Sequence, residues 1–408
     1  MPALKLFAVL ALLVSFGADA AEPITLAEAT RSALERNPAL VAVRAEVAVA
    51  RAKLDGASLL LQTNPELTAA IGARVSPRAP ALELDLGLEQ RLEVFGQRGA
   101  RKDSAQATLS ASEARRDGLQ LAVTADVREA FGRALAAEQL LRLSEAGRAL
   151  CLSSLKAAEE RFAAGGATRI EVNTARVEIG RAARELALAQ QHQVQSYGAL
   201  ALLAGLRPEA LVLAGTVKPA ADRSADEPAL VARALAQRPD LRAARAELEA
   251  ARADQRLAAR EWLPSPRLGI RYGKEEDAHL VQGTIGFELP VFNQHQAARG
   301  VAAGRLLQAE QAVSSLSLQI EVEVAMALSR YRAASVAAEA YAGEVLKAME
   351  ENTELVTAAY QAGKVDFLQL LLIQRQTLEA RRGHIETLEE LNAAEARLLR
   401  VVGSVPSR

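Results

Sequence analysis

The sequence predicts a mainly α-helical fold with a membrane β-barrel part, arranged as two tandem copies of helix, hairpin, long helix, turn and helix, with four strands per chain. Three observations predict it. Long stretches free of proline repeat apolar residues three and four positions apart. Two segments alternate strictly between apolar and polar residues on either side of a turn. The same sequence markers occur twice in the same order.

Composition narrows the function classes. Of 408 residues, 50% are hydrophobic but only 3% are aromatic, so the bulky side chains that fill a compact core are scarce. The 49 Lys and Arg offset 50 Asp and Glu, and a formal charge of −1 leaves no basic field for nucleic acid. The single Cys151 excludes an intrachain disulfide and a cysteine-rich zinc site, and four histidines leave little for one built from imidazoles. No Gly-rich phosphate loop, nucleophile elbow or HExxH motif is present. Neither catalysis, a cofactor nor a resident metal is expected.

At the N-terminus Lys5 precedes an apolar run from Leu6 to Phe16, and Ala18-Asp19-Ala20 offers the small-x-small pattern of a cleavage site. Residues 1–20 therefore read as a secretory signal peptide, with the mature chain starting at Ala21. The run is shorter than the roughly 20 residues a spanning helix needs. No cysteine lies near the cleavage point to take a lipid. Beyond it no stretch reads as a transmembrane helix, so any return to a membrane is expected through strands.

The first copy is assigned to 21–206, the second to 227–408, and residues 207–226, with Pro208, Gly215 and Pro219, form the linker. Asn37-Pro38-Ala39-Leu40 corresponds to Arg238-Pro239-Asp240-Leu241, and RAEVAVARA from Arg44 to RAELEAARA from Arg245. Glu93-Val94-Phe95-Gly96-Gln97 corresponds to Pro290-Val291-Phe292-Asn293-Gln294, and Phe162-Ala163-Ala164-Gly165 to Tyr360-Gln361-Ala362-Gly363. The copies end alike at Leu203-Ala204-Gly205 and Val401-Val402-Gly403. A first helix is expected from near Pro38. The long one from Gln97 to Arg161 would extend roughly 100 Å, and a last one would start near Thr168. The second copy is expected to repeat that plan, with heptad stripes at Leu306, Ala309, Val313, Leu316 and Ile320 and at Leu371, Leu378 and Ile385.

The hairpins place strands near 66–76, 81–93, 266–273 and 280–290. Leu67, Ala69, Ile71, Ala73 and Val75, then Leu82, Leu84, Leu86 and Leu88, share an apolar face; Leu268, Ile270, Tyr272, Val281, Ile285, Phe287 and Leu289 continue it. The other face carries Arg74, Glu83, Asp85, Glu89, Arg267, Arg271 and Glu288, which reads as a hydrated wall lining a lumen. Four strands cannot close a barrel, and an open edge in lipid leaves N–H and C=O groups without partners. Closure must come from several protomers: two give a filled barrel, three a water-filled one. Trp262, Tyr272, Phe95 and Phe292 are the candidate aromatic girdle.

These features together resemble the TolC family of outer-membrane factors. The resemblance covers the whole mature chain, and the Asn-Pro opening and the Glu93 to Arg98 junction are most similar to its heavy-metal branch, the Czc and Cus type. It implies a homotrimer with a shared twelve-stranded barrel in outer-membrane lipid, continued by a periplasmic α-helical barrel. It also implies a periplasmic membrane-fusion adaptor and a proton-driven inner-membrane pump of the resistance-nodulation-division class. The chain would be the passive exit duct for heavy-metal cations. A type I secretion or multidrug efflux duct is the alternative within transport, and a periplasmic coiled-coil scaffold or adaptor without a pore is the alternative outside it.

In the family the two helix turns form the periplasmic mouth. Here they hold Phe162, Gly165, Thr168 and Glu171 in the first copy and Tyr360, Gly363, Phe367 and Leu368 in the second. Gly165 suits a left-handed helix end, while Thr168 and Asp366 suit caps of the returning helices. Val365 and Gln369 stand where some members place an arginine and an acidic residue, so constriction by Tyr360, Phe367 and Leu368 is expected instead of a salt-bridged gate. His279 beside Lys274-Glu275-Glu276-Asp277 is placed in an external loop, and Cys151 in helix packing. His192, His295 and His384 are scattered on helices, and Met326 and Met349 are too few for a methionine relay.

Overall fold

The computed structural model describes residues 23–74, 81–208, 211–215, 226–275, 278–341 and 343–404. The expected signal peptide, Val75, the turn at 76–80, Glu276-Asp277 and much of the linker lie outside them. The first copy holds α1 (Leu26–Arg36), α2 (Pro38–Ser58), β1 (Glu66–Arg74), β2 (Ala81–Arg91), α3 (Gln97–Ala163) and α4 (Arg169–Ala204). The second holds α5 (Glu227–Gln237), α6 (Pro239–Ala258), β3 (Arg267–Glu275), β4 (Ala278–Gly286), α7 (Gln296–Ala340), α8 (Glu344–Gln361) and α9 (Phe367–Val402).

Each copy starts one helix earlier than the sequence markers suggest. α1 opens on a capping box in which the Thr25 hydroxyl accepts from the Glu28 N–H and the Glu28 carboxylate accepts from the Thr25 N–H. Asn37 then accepts the Ala39 N–H at 3.0 Å to open α2. Pro38 lacks a donor and holds its predecessor out of the helical region, so two helices meet there. α5 and α6 repeat the arrangement around Pro239.

The second long helix also differs from expectation. α3 is unbroken over 67 residues, roughly 100 Å of rod. Its counterpart stops at Ala340 and resumes at Glu344, after Gly343 at φ 74° and ψ −112°. No L residue with a Cβ adopts that pair of angles comfortably.

The cores are small and spread along the rods. Ala29, Ala33, Leu40, Val127, Phe131 and Leu200 gather α1 and α2 against the middle of α3 and the end of α4. Ala234, Leu241, Ile320 and Val324 make the matching cluster in the second copy, continued by Leu328, Tyr331, Leu391 and Leu398. Alanine at so many buried positions lets helix axes approach closely, which explains how a core forms with few aromatics. The copies are pinned together by a buried ion pair, Arg128 of α3 to Glu395 of α9 at 3.0 Å. Beside it Asn392 donates to the Arg128 carbonyl at 3.2 Å. Gly132 makes room for this: a Cβ there would lie 1.9 Å from the Asn392 amide nitrogen.

Candidate functional site

The hairpins join in one antiparallel sheet ordered β1-β2-β3-β4, so β1 and β4 are edges paired on one side only. The register sets Leu67 opposite Leu88, Leu88 opposite Ile270 and Leu268 opposite Ile285 on one face. That face is bare: Leu67 is 72% exposed, Ile71 74%, Val281 70% and Ile285 68%. Exposed apolar area on this scale marks a surface that meets lipid or protein.

On the opposite face the register collects Glu83, Asp85, Glu89, Arg267 and Arg271. Arg271 lies 3.5 Å from Asp85, and Arg267 lies 3.9 Å from Glu288, which follows β4. Arg74 takes the β1 position opposite Ala81. Gly87 and Gly269 also belong to this face, where a Cβ would meet the Thr68 and Thr284 hydroxyls respectively at 2.5 Å. Removing those side chains allows the polar face to be the inside of a curved sheet.

Two strand ends differ from expectation. β4 leaves the ladder at Gly286, before Pro290, which has no N–H to donate. At the other end it begins at Ala278, which places His279 in the strand and not in the loop. The His279 Nδ1 lies 2.7 Å from the Tyr272 hydroxyl, with the rings stacked at 5.9 Å. Phe95, Trp262 and Phe292 are all exposed near the helix-side end of the sheet.

The helix turns pack against each other at the far end of the rods. Gly165 and Gly363 take the left-handed conformation, at φ 77° and 72°. Thr168 and Glu171 form a capping box at the start of α4, and Asp366 accepts the Gln369 N–H at 2.7 Å at the start of α9. Tyr360 and Phe367, expected to constrict the opening directly, point inward: they are 1% and 4% exposed and pack with Ala158, Val172 and Leu370. An aromatic ring near a helix turn removes most surface when it staples the neighbouring hairpin, and these two do so. Leu368 at 73% exposed and Phe162 at 46% stay on the outside.

Tyr360 is the knot between the copies. Its hydroxyl donates to Glu171 at 3.2 Å, and Arg161 donates to its carbonyl at 3.1 Å and lies 4.5 Å above its ring. Arg161 also donates to the Gly166 carbonyl at 2.9 Å. Burial first, and then the Glu171 carboxylate, hold the phenol above its usual range. Sequence reading missed Arg161, because a single arginine one position before Phe162 reads as a solvated helix residue. Elsewhere Cys151 is half-buried and its thiol is pushed up by burial and by Glu178 and Glu185. No cluster of three or more His, Cys, Asp or Glu suited to a metal occurs among the described residues.

The family pattern described as "Outer membrane efflux protein" matches residues 29–206 and 230–404. The chain is 26% identical over 395 residues to the cobalt-zinc-cadmium resistance protein CzcC of Cupriavidus metallidurans, spanning 95% of this chain and 92% of that protein. It is 27% identical over 296 residues to the pyoverdine export outer membrane protein OpmQ of Pseudomonas putida, spanning 67% of this chain and 62% of that one. Its fold matches a solved structure of CusC with a TM-score of 0.79 at 21% identity, covering 93% of this chain and 92% of that one.

Proposed function

Since the chain belongs to the outer membrane efflux protein family, we propose that three copies pool their sheets into a twelve-stranded barrel in the outer membrane and their helices into a periplasmic tube. Membership makes the protein an efflux duct and not an enzyme. The observation that carries the proposal is the four-stranded sheet with one exposed apolar face and two unpaired edges. Lipid covers such a face, and only closure with other protomers satisfies such edges. The face of Glu83, Asp85, Glu89, Arg267, Arg271 and Glu288, with Arg74, is then the lumen wall, where mixed charge keeps cargo hydrated without holding it. A proton-driven inner-membrane antiporter supplies the energy, and a periplasmic adaptor opens the mouth.

The periplasmic mouth is the pair of helix turns. Gly165, Gly363, Thr168 and Glu171 shape it, Tyr360, Phe367 and Arg161 hold the hairpins together, and Leu368 and Phe162 narrow the passage. Opening separates the hairpins and breaks the Tyr360–Glu171 bond.

Heavy-metal cations are the proposed cargo, as supported by the near full-length similarity to CzcC, a protein named for cobalt, zinc and cadmium resistance. The similarity to OpmQ favours a second reading, an exit duct for organic molecules. Growth of a deletion strain across zinc, cobalt, cadmium, nickel, copper and silver gradients and a panel of hydrophobic drugs tests both. Selective metal sensitivity restored by the intact gene is expected; sensitivity to drugs alone replaces the first reading with the second.

A further inference from the structure

Under the helix-side end of the sheet lies a cavity of about 290 Å³ between the two copies. Its wall includes Arg91, Gln97 and Arg101 from the first copy and Glu261 from the second. Its donors are not satisfied. Gln97 is 4% exposed, and its Oε1 accepts the Phe95 N–H at 2.9 Å, which leaves the amide nitrogen as the free end. That Nε2 has no partner among the described residues. Arg101 spends both terminal nitrogens on Glu93, at 2.7 and 2.8 Å, and its buried Nε also has none. Gln97 opens α3, which starts without a capping side chain or an acidic residue in its first turn. Unmatched N–H groups and a bare helix N-terminus both call for oxyanion oxygens.

The charges say what else the occupant carries. Glu93 neutralises Arg101, so of the fully charged lining residues exposed Arg91 and exposed Glu261 remain, one of each sign, with the imidazole of His295 in the same wall. A free anion would leave Glu261 unmatched. Leu60, 74% exposed, and Leu61, 44% exposed, form an apolar lip.

We propose that this cavity binds the headgroup of a zwitterionic ethanolamine phospholipid from the periplasmic leaflet. The phosphate accepts from Gln97 Nε2, Arg101 Nε and Arg91, the ammonium meets Glu261, and the acyl chains leave over Leu60 and Leu61. The site rests on the reading of the sheet as membrane-embedded, which sets its depth at the headgroups.

Native mass spectrometry of the delipidated full chain tests it, with phosphatidylethanolamine, phosphatidylcholine, phosphatidylglycerol or inorganic phosphate added singly. One phosphatidylethanolamine per protomer is expected, held more tightly than phosphatidylcholine, whose trimethylated nitrogen donates no hydrogen bond to Glu261. Gln97→Glu keeps the acceptor for the Phe95 N–H but replaces the donor with an oxygen, and Glu261→Gln removes the ammonium partner. Each should weaken retention about tenfold, the effect of one hydrogen bond to a charged group. Equal retention of the three lipids, inorganic phosphate bound without lipid preference, or unchanged retention in Gln97→Glu overturns the proposal. Insertion of the same preparations into lipid vesicles, read as resistance to alkaline extraction, separates the two readings: inserted protein without lipid selectivity removes only this site, whereas protein that does not insert removes the membrane reading beneath it.

Discussion

The two copies keep the same joints but not the same rods. At the sheet-to-helix joint, Gln97 accepts the Phe95 N–H at 2.9 Å and Gln296 accepts the Gln294 N–H at 2.8 Å, each across one left-handed residue. That residue is Gly96 at φ 77° in the first copy and His295 at φ 55° in the second. The long helices have diverged: α3 runs without interruption, while α7 stops at Ala340 and α8 starts at Glu344, and a Cβ on Gly383 would lie 3.2 Å from the Tyr341 ring. A joint sets the direction of everything beyond it, so its hydrogen bonds resist change. A rod in a bundle tolerates a break wherever a neighbouring helix packs over it. The first copy then keeps a continuous column, and the second is the one with a built-in break.

The largest effect is expected where the copies are tied. Glu395→Leu leaves the Arg128 guanidinium buried without its partner and should cost about 3–5 kcal/mol. Thermal or denaturant unfolding in detergent reads this, and a paired Arg128→Met, Glu395→Leu variant should recover most of it. Next is the break: Gly343→Ala puts a Cβ on a residue at φ 74° and should destabilise by about 1–2 kcal/mol, whereas Gly300→Ala inside α7, with nothing within 4 Å, should stabilise slightly. Equal effects at both positions would erase the distinction between break and rod. At the joint, His295→Gly relieves the left-handed conformation and should stabilise by about 1 kcal/mol. The smallest effect concerns the helix turns. The folded chain holds the Tyr360 proton above the usual value of 10.0, so that stabilisation is complete below pH 10.0 and is lost as pH rises through the folded value. Melting curves of the native protein and Tyr360→Phe should therefore differ by a constant offset through neutral pH, and the native protein should lose stability relative to the variant only under alkaline conditions.

The hairpins were legible in the sequence because a pleated strand shows its two faces as alternation, and Leu82 to Glu89 displays it without exception. The helix turns were legible because Gly165 and Gly363 mark left-handed helix ends. α1 and α5 were not, since each is only 11 residues long and ends at a proline junction that resembles a beginning. The break before Glu344 was hidden because one glycine in a helical pattern is more often tolerated than decisive. The inward turn of Tyr360 and Phe367 depends on which hairpin they face, which is tertiary information, and so does the grip of Arg161.

The central claim is that the sheet edges of different protomers meet. With Cys151 replaced by Ala, cysteines at Thr68 in β1 and Gln282 in β4 stand on opposite edges, about 14 Å apart within one chain at the usual strand spacing. A short thiol cross-linker applied to intact outer membranes should give a ladder that ends at three linked chains. Chains that stay unlinked while the protein remains in that membrane, or a ladder that ends at two, would contradict the shared twelve-stranded barrel.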